Sequence, residues 1–357
     1  MPDAAALIPT PDAIPVPWGW FYILLMLTFL LHLLVMNAML GGGIIALISS
    51  LRGGDQSTLL SREFSYKWPY TIAFAVNLGV APLLFIQVLY GHFIYTSSIL
   101  MAAWWLSIIV MLILAYYGAY IYDFKFDSMG GLRTCMAGFS VALLLIIAFL
   151  FVNNMTLMLQ PERWSAYFAN ADGTFLNITD PTLIPRYLHF VIGAIAVAGL
   201  YLALIGRFGF IKSQADPQAL IERGMSYFTM ATAVQILLGF WFLIALPKHV
   251  MLQFMGGTMY GTILLMLGLV LAGAVLFMGY KRLLFRTCGT ALLLLIVMIL
   301  MRDLVRTTYL APYFNLGDLQ VNAEYSPLIF FLVVFVGGLV LVGYMLKMAL
   351  DCGKEVK

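Results

Sequence analysis

A chain of 357 residues that is 63% hydrophobic and only 10% charged is too apolar for a soluble domain, which leaves an all-α polytopic membrane protein. The mean hydropathy of +0.99 agrees. The formal net charge of +3 gives no reason to invoke nucleic acid as a partner.

Nine apolar runs are long enough to cross a bilayer, which takes about 20 residues. They fall at 20–50, 69–95, 98–122, 134–158, 187–209, 226–247, 258–280, 287–310 and 327–349. The first exceeds one simple span, so Trp18 to Phe29 is expected to project, tilt or lie at the interface. The N-terminus lacks a basic region and shows no cleavable-signal pattern. Most of the 19 lysines and arginines fall after spans one, three, five and seven and in the C-terminal tail, including Arg52, Lys67, Arg133, Lys212, Arg286, Lys354 and Lys357. Lys and Arg concentrate in cytoplasmic connections, so the N-terminus is predicted outside and the C-terminus inside, in the inner membrane of a prokaryote.

Two histidine pairs share one offset. His32 and His189 stand 157 residues apart, as do His92 and His249, and these four are all the histidines of the chain. Leu132-Arg-Thr-Cys135 echoes Phe285-Arg-Thr-Cys288 at an offset of 153. The pattern predicts two parallel four-helix-bundle repeats plus a ninth transmembrane helix. The expected units are 1–160, an outer loop at 161–186, 187–315, and 316–357 with the ninth helix and inner tail. The loop carries the turn-forming Asn170-Ala-Asp-Gly173.

Counted along straight helices from the nearest basic residues, each histidine pair falls in the outer third of the bilayer. Two imidazoles on facing helices are what a b-type haem iron demands. His32 with His92, and His189 with His249, are therefore the predicted ligand pairs of two haems b. The plainer alternative is interfacial histidines bonded to backbone or headgroups. Zinc lacks a cysteine or carboxylate at ligand spacing near the pairs. A methionine ligand stays open, although most of the 21 methionines read as core filler. Cys135, Cys288 and Cys352 lie near the inner face, none in a Cys-x-x-Cys-His stretch for attaching haem.

Span eight ends in Arg302-Asp303-Leu-Val-Arg306 after about 15 apolar residues, which puts charge below the outer surface. Arg302 and Arg306 share a helix face and suit haem propionates or a quinone; Asp303 could take a proton from a quinol. A structural ion pair is the alternative. Lys248 is a further headgroup candidate. Gly41-Gly42-Gly43 lies mid-span and reads as close helix packing.

Four stretches of the first 210 residues resemble subunit I of the cytochrome bd quinol oxidases. They are His32 in a helix ending Ser50-Leu-Arg-Gly-Gly, Ala75-Val-Asn-Leu-Gly-Val-Ala81 followed by Gln87 and Gly91, Val152-Asn-Asn-Met leading to Gln160-Pro161, and Asp180-Pro181 before Arg186-Tyr-Leu-His189. The resemblance implies that His32 ligates a haem of the oxygen-reducing pair and His189 the low-spin haem b near the quinol site. The chain departs from that family in its shortness, in lacking a long loop after span six, and in the absence of carboxylates from span three. His92 and His249 are additions; a second nitrogen ligand would close each iron to oxygen. The expected function is thus electron transfer between a quinone and an outer-face multihaem cytochrome c subunit. The alternatives are an oxygen-reducing bd-type oxidase and a haem-free transporter or membrane anchor.

Overall fold

The computed structural model describes residues 4–169 and 171–355. Asn170 of the expected turn and Lys357 lie outside the described residues, as do the side chains of Cys352 and Lys354. The fold is all-α. Among the described residues nine helices are long and apolar enough to cross a membrane: α1 (Trp18–Arg52), α2 (Asp55–Leu100), α3 (Ala102–Phe124), α4 (Leu132–Met158), α5 (Leu183–Phe208), α6 (Pro217–Ala245), α8 (Met259–Tyr280), α9 (Leu284–Leu310) and α10 (Tyr325–Glu355). A short helix, α7 (Lys248–Leu252), and a π-turn over Gln253–Gly257 join α6 to α8.

Helices α1 to α4 pack as one group and α5, α6, α8 and α9 as another. In each group the first helix pairs mainly with the second, and the third with the fourth. The groups meet chiefly where α1 lies against α5. Close approach there needs Gly41, because a Cβ at that position would overlap the Ala194 carbonyl. Gly43 does the same service for Trp68 of α2, whose indole donates to the Met39 carbonyl at 3.1 Å. Helix α10 stands apart, with nearly all its described side chains exposed.

Residues 18–29 are the first turns of one 35-residue helix, about 50 Å long, which exceeds one simple span as the sequence expects. Leu25 is buried there, and Tyr22 and Phe29 reach α9. Helix α2 starts 14 residues before the predicted span and runs for 46 residues, about 70 Å, far more than the roughly 30 Å of bilayer hydrocarbon. Its early turns are held because Glu63, fully buried, pairs with Lys67 and accepts the backbone N–H groups of Lys212 and Ser213. Near its other end, Tyr90 takes non-helical angles and kinks it.

The end of the bundle that carries the 160–182 segment is closed by polar contacts. Asn177 donates to Thr156 and Gln160 at 3.2 and 3.1 Å, and Gln160 donates to Asp180 at 2.6 Å. Over this loop end, Ile14 and Val321 form a parallel bridge that ties the segment before α1 to the one before α10.

Substituting Gly41 by Val should destabilise the α1–α5 contact by about 1–3 kcal/mol, the usual cost of forcing extra carbon into a packed interface. A clear drop in the thermal midpoint in detergent is expected, whereas Gly53→Ala, at a position with open space around it, strains only its own left-handed backbone.

Candidate functional site

A cavity of about 320 Å³ opens within the second group of helices, bounded also by α1 and the end of α4. This falls in the range of cofactor sites, roughly 300–1,000 Å³. Its lining is mostly apolar: Phe190, Phe240, Leu243, Leu265, Leu294 and Val305 are representative. His189 of α5 is in its wall, against Gly239 of α6. Gln235, one turn before Gly239, donates to the His189 carbonyl at 2.8 Å and so fastens the two helices at the imidazole. The His189 Nδ1 is buried and has no hydrogen-bond partner. Met298 and Met301 of α9 bring two thioethers to the same cavity.

Three guanidinium groups also line the cavity: Arg186 of α5, and Arg302 and Arg306 of α9. Arg302 lies over the Phe29 ring at 4.5 Å and Arg306 over the Tyr90 ring at 4.6 Å. Arg306 is 4% exposed and forms an ion pair with Asp303, which also accepts from the Tyr22 hydroxyl at 2.6 Å. Both Asp303 oxygens are thereby engaged, and Asp303 is not part of the cavity wall. The structure thus places it as the anchor of Arg306. Nε and Nη1 of Arg306 and Nε of Arg186 have no partner. Buried guanidinium N–H groups left unpaired are costly, and this set suits an anion with several acceptor oxygens.

The histidines are not brought together as pairs. His32 Nδ1 stands 3.0 Å from the Ala75 carbonyl, and its ring packs on Gly79. His92 lies 13 residues beyond Gly79 on the same helix, about 20 Å away along its axis. One iron cannot be shared across that distance. The equal-depth expectation fails because Lys67 does not mark the start of α2; it pairs with Glu63 within a helix that began at Asp55. His92 is instead buried in an aromatic cage, its ring centroid 4.3 Å from Phe93 and 4.6 Å from Phe314. His249 is exposed beyond the break at Leu246-Pro247, faces Tyr309 and does not line this cavity. Lys248 is exposed and lines neither this cavity nor its neighbour. Asn153 and Asn154, fully buried, serve the loop-end network: Asn153 accepts from the Asn177 N–H and Asn154 from Ser97.

Of the predicted residues, the cavity thus assembles His189, Arg302 and Arg306. It adds Arg186, Gln235 and Met298, which sequence reasoning left out of the site. Arg186 was discoverable: it precedes His189 by three residues, the spacing that puts two side chains on one helix face. Gln235 and Met298 carry no such signal, since their place depends on how three helices meet. No protein-family model and no curated protein matches this chain.

Replacing Asp303 with Asn should cost roughly 3–5 kcal/mol of stability, because Arg306 would keep its charge in a buried site without a counter-ion. Thermal unfolding in detergent reads this directly. The double change Asp303→Leu with Arg306→Met, which removes both charges, should recover much of the loss.

Proposed function

We propose that the chain is a haem b membrane subunit that moves electrons between the quinone pool and a multihaem cytochrome c partner on the outer face of a prokaryotic inner membrane. The observation that carries this reading is the cavity: an imidazole, four thioethers and three guanidinium groups line one apolar space of cofactor size. The groups fit a b-type haem. His189 would be the nitrogen ligand to the iron, and the cavity's methionines, Met298 and Met301 among them, would offer sulfur. Arg186, Arg302 and Arg306 would hold the propionates, whose paired negative charge suits three cations of which Arg306 is ion-paired with Asp303. When bound, the haem would supply a one-electron couple. The chain's own part is to exclude water with the phenylalanine and leucine walls, to lock His189 through Gln235, and to fix the propionate end through Tyr22, Asp303 and Arg306.

For a second haem, His32 is the residue that retains the right chemistry. A carbonyl can only accept, so Nδ1 carries the proton shared with Ala75 and Nε2 keeps its lone pair for a metal. His92 and His249 have no role as partners of His32 and His189 in this reading, which leaves the geometry in favour of one haem with histidine–methionine ligation in the main cavity.

The dithionite-reduced minus oxidised spectrum, with pyridine haemochrome quantitation, tests the proposal. A low-spin haem b signal is expected in the purified chain and should vanish in His189→Ala while persisting in His92→Ala and His249→Ala. A chain without Soret absorbance would sink the haem reading and favour a transporter or anchor. A carbon-monoxide-sensitive high-spin band would favour the oxidase.

A further inference from the structure

A second cavity, of about 390 Å³, lies at the loop end beside the first. It is built by the segment that follows α4, the break after α6 and the end of α9, with Asp180, Thr182, Pro247, His249, Tyr309 and Pro312 in its walls. Leu159 lines both cavities. Arg186, in the wall of the first, is near enough to Tyr309 and Asp180, in the wall of the second, to interact with them electrostatically.

Two hydroxyl groups in this second wall are orphaned. Tyr309 is 7% exposed and Thr182 1%, yet neither Tyr309 Oη nor Thr182 Oγ1 has a hydrogen-bond partner within 3.5 Å; the Gln160 amide, which also interacts with Tyr309, is already bonded to Asp180 and Asn177. Buried hydroxyls are nearly always matched, so two unmatched ones in one cavity point to a ligand. The charged groups do not ask for one. Asp180 already accepts from Gln160 and from the Thr182 N–H, both at 2.6 Å. Arg163 already donates to Asn177 and Thr179, both at 2.7 Å. Glu162 is exposed at the rim. What remains is two neutral hydroxyls and the imidazole of His249, whose ring stands edge-on to Tyr309 with centroids 6.3 Å apart.

This set suits a flat, uncharged ring with oxygens on opposite sides. Hydroxyls can donate to a carbonyl and accept from a phenol, so the same residues would hold the oxidised and the reduced ring. Pro181, Pro247, Pro312 and Tyr313 supply stiff apolar walls for its faces. We infer that this cavity binds the quinone headgroup, with Tyr309, Thr182 and His249 on the ring oxygens. The identity of the ligand rests on the electron-transfer reading above; the existence of the site rests on the two orphaned hydroxyls. The site is made by the inter-group segment and the end of α9, without a long loop after α6.

The test is equilibrium binding of menadione to the purified, quinone-depleted full chain, followed by tryptophan fluorescence, with haem content measured on the same samples. Saturable binding is expected, weakened about tenfold or more by Tyr309→Phe and by His249→Gln at unchanged haem content. Arg302→Gln should lower haem content and leave the menadione Kd alone. Wild-type affinity in both Tyr309→Phe and His249→Gln, or no saturable binding to the parent chain, would overturn the inference. A chain without haem that still binds menadione through Tyr309 and His249 would overturn the electron-transfer reading and leave the site standing.

Discussion

Everything at the loop end of this bundle answers to one cost: holding guanidinium groups out of water. Arg306 is buried with a single carboxylate, and that carboxylate is itself steered by a tyrosine from another helix. Breaking such a pair on one side is far worse than never having had it, because a lone charge is left in an apolar site. The pair itself lies within α9, and the Tyr22 hydroxyl that donates to Asp303 links it to α1. The Phe29 and Tyr90 rings under Arg302 and Arg306 add cation–π contact where water is absent. Arg186 adds a third guanidinium to this rim of the cavity, its Nε without a hydrogen-bond partner.

Positive rim and apolar body together give the main cavity its polarity along one axis. The helices can enclose such a space because they are held apart in one place and pressed together in others. Gly41 against Ala194 and Gly199 against Gly224 bring backbones together, so α1, α5 and α6 pack tightly on the side away from the loop end. Nearer that end the same helices line the cavity, where Gln235 of α6 donates to the His189 carbonyl of α5. The second cavity arises differently, from irregular backbone after α6 and after α4, where chain breaks leave hydroxyl groups facing space.

Much of the architecture was legible in the residues. Long apolar runs dictate helices because a bilayer leaves no other partner for backbone N–H and C=O groups. The charged run at the end of span eight announced a special place, since charge inside a membrane must be used or matched. Spacing on one helix also put Arg302 and Arg306 together, and would have added Arg186 to His189. Depth was not legible. Reading it from basic residues assumes that each helix begins at the membrane surface, and α2 breaks that assumption by starting at Asp55 and pairing Lys67 with Glu63 inside the helix.

The sequence by itself therefore determined the class of fold, the number of long apolar helices and the charged run at the end of α9, because these depend on local hydropathy and on contacts within one helix. Only the tertiary structure decided which histidine faces a cavity, which arginines share it and which hydroxyls lack a partner. Those facts depend on where helices of unequal length cross. A shift of one turn along a helix axis moves a side chain by about 5.4 Å and round to another neighbour without changing its sequence periodicity. The constant spacing of the four histidines carried no information about that crossing, so His32 and His92 share a helix interface only at positions some 20 Å apart.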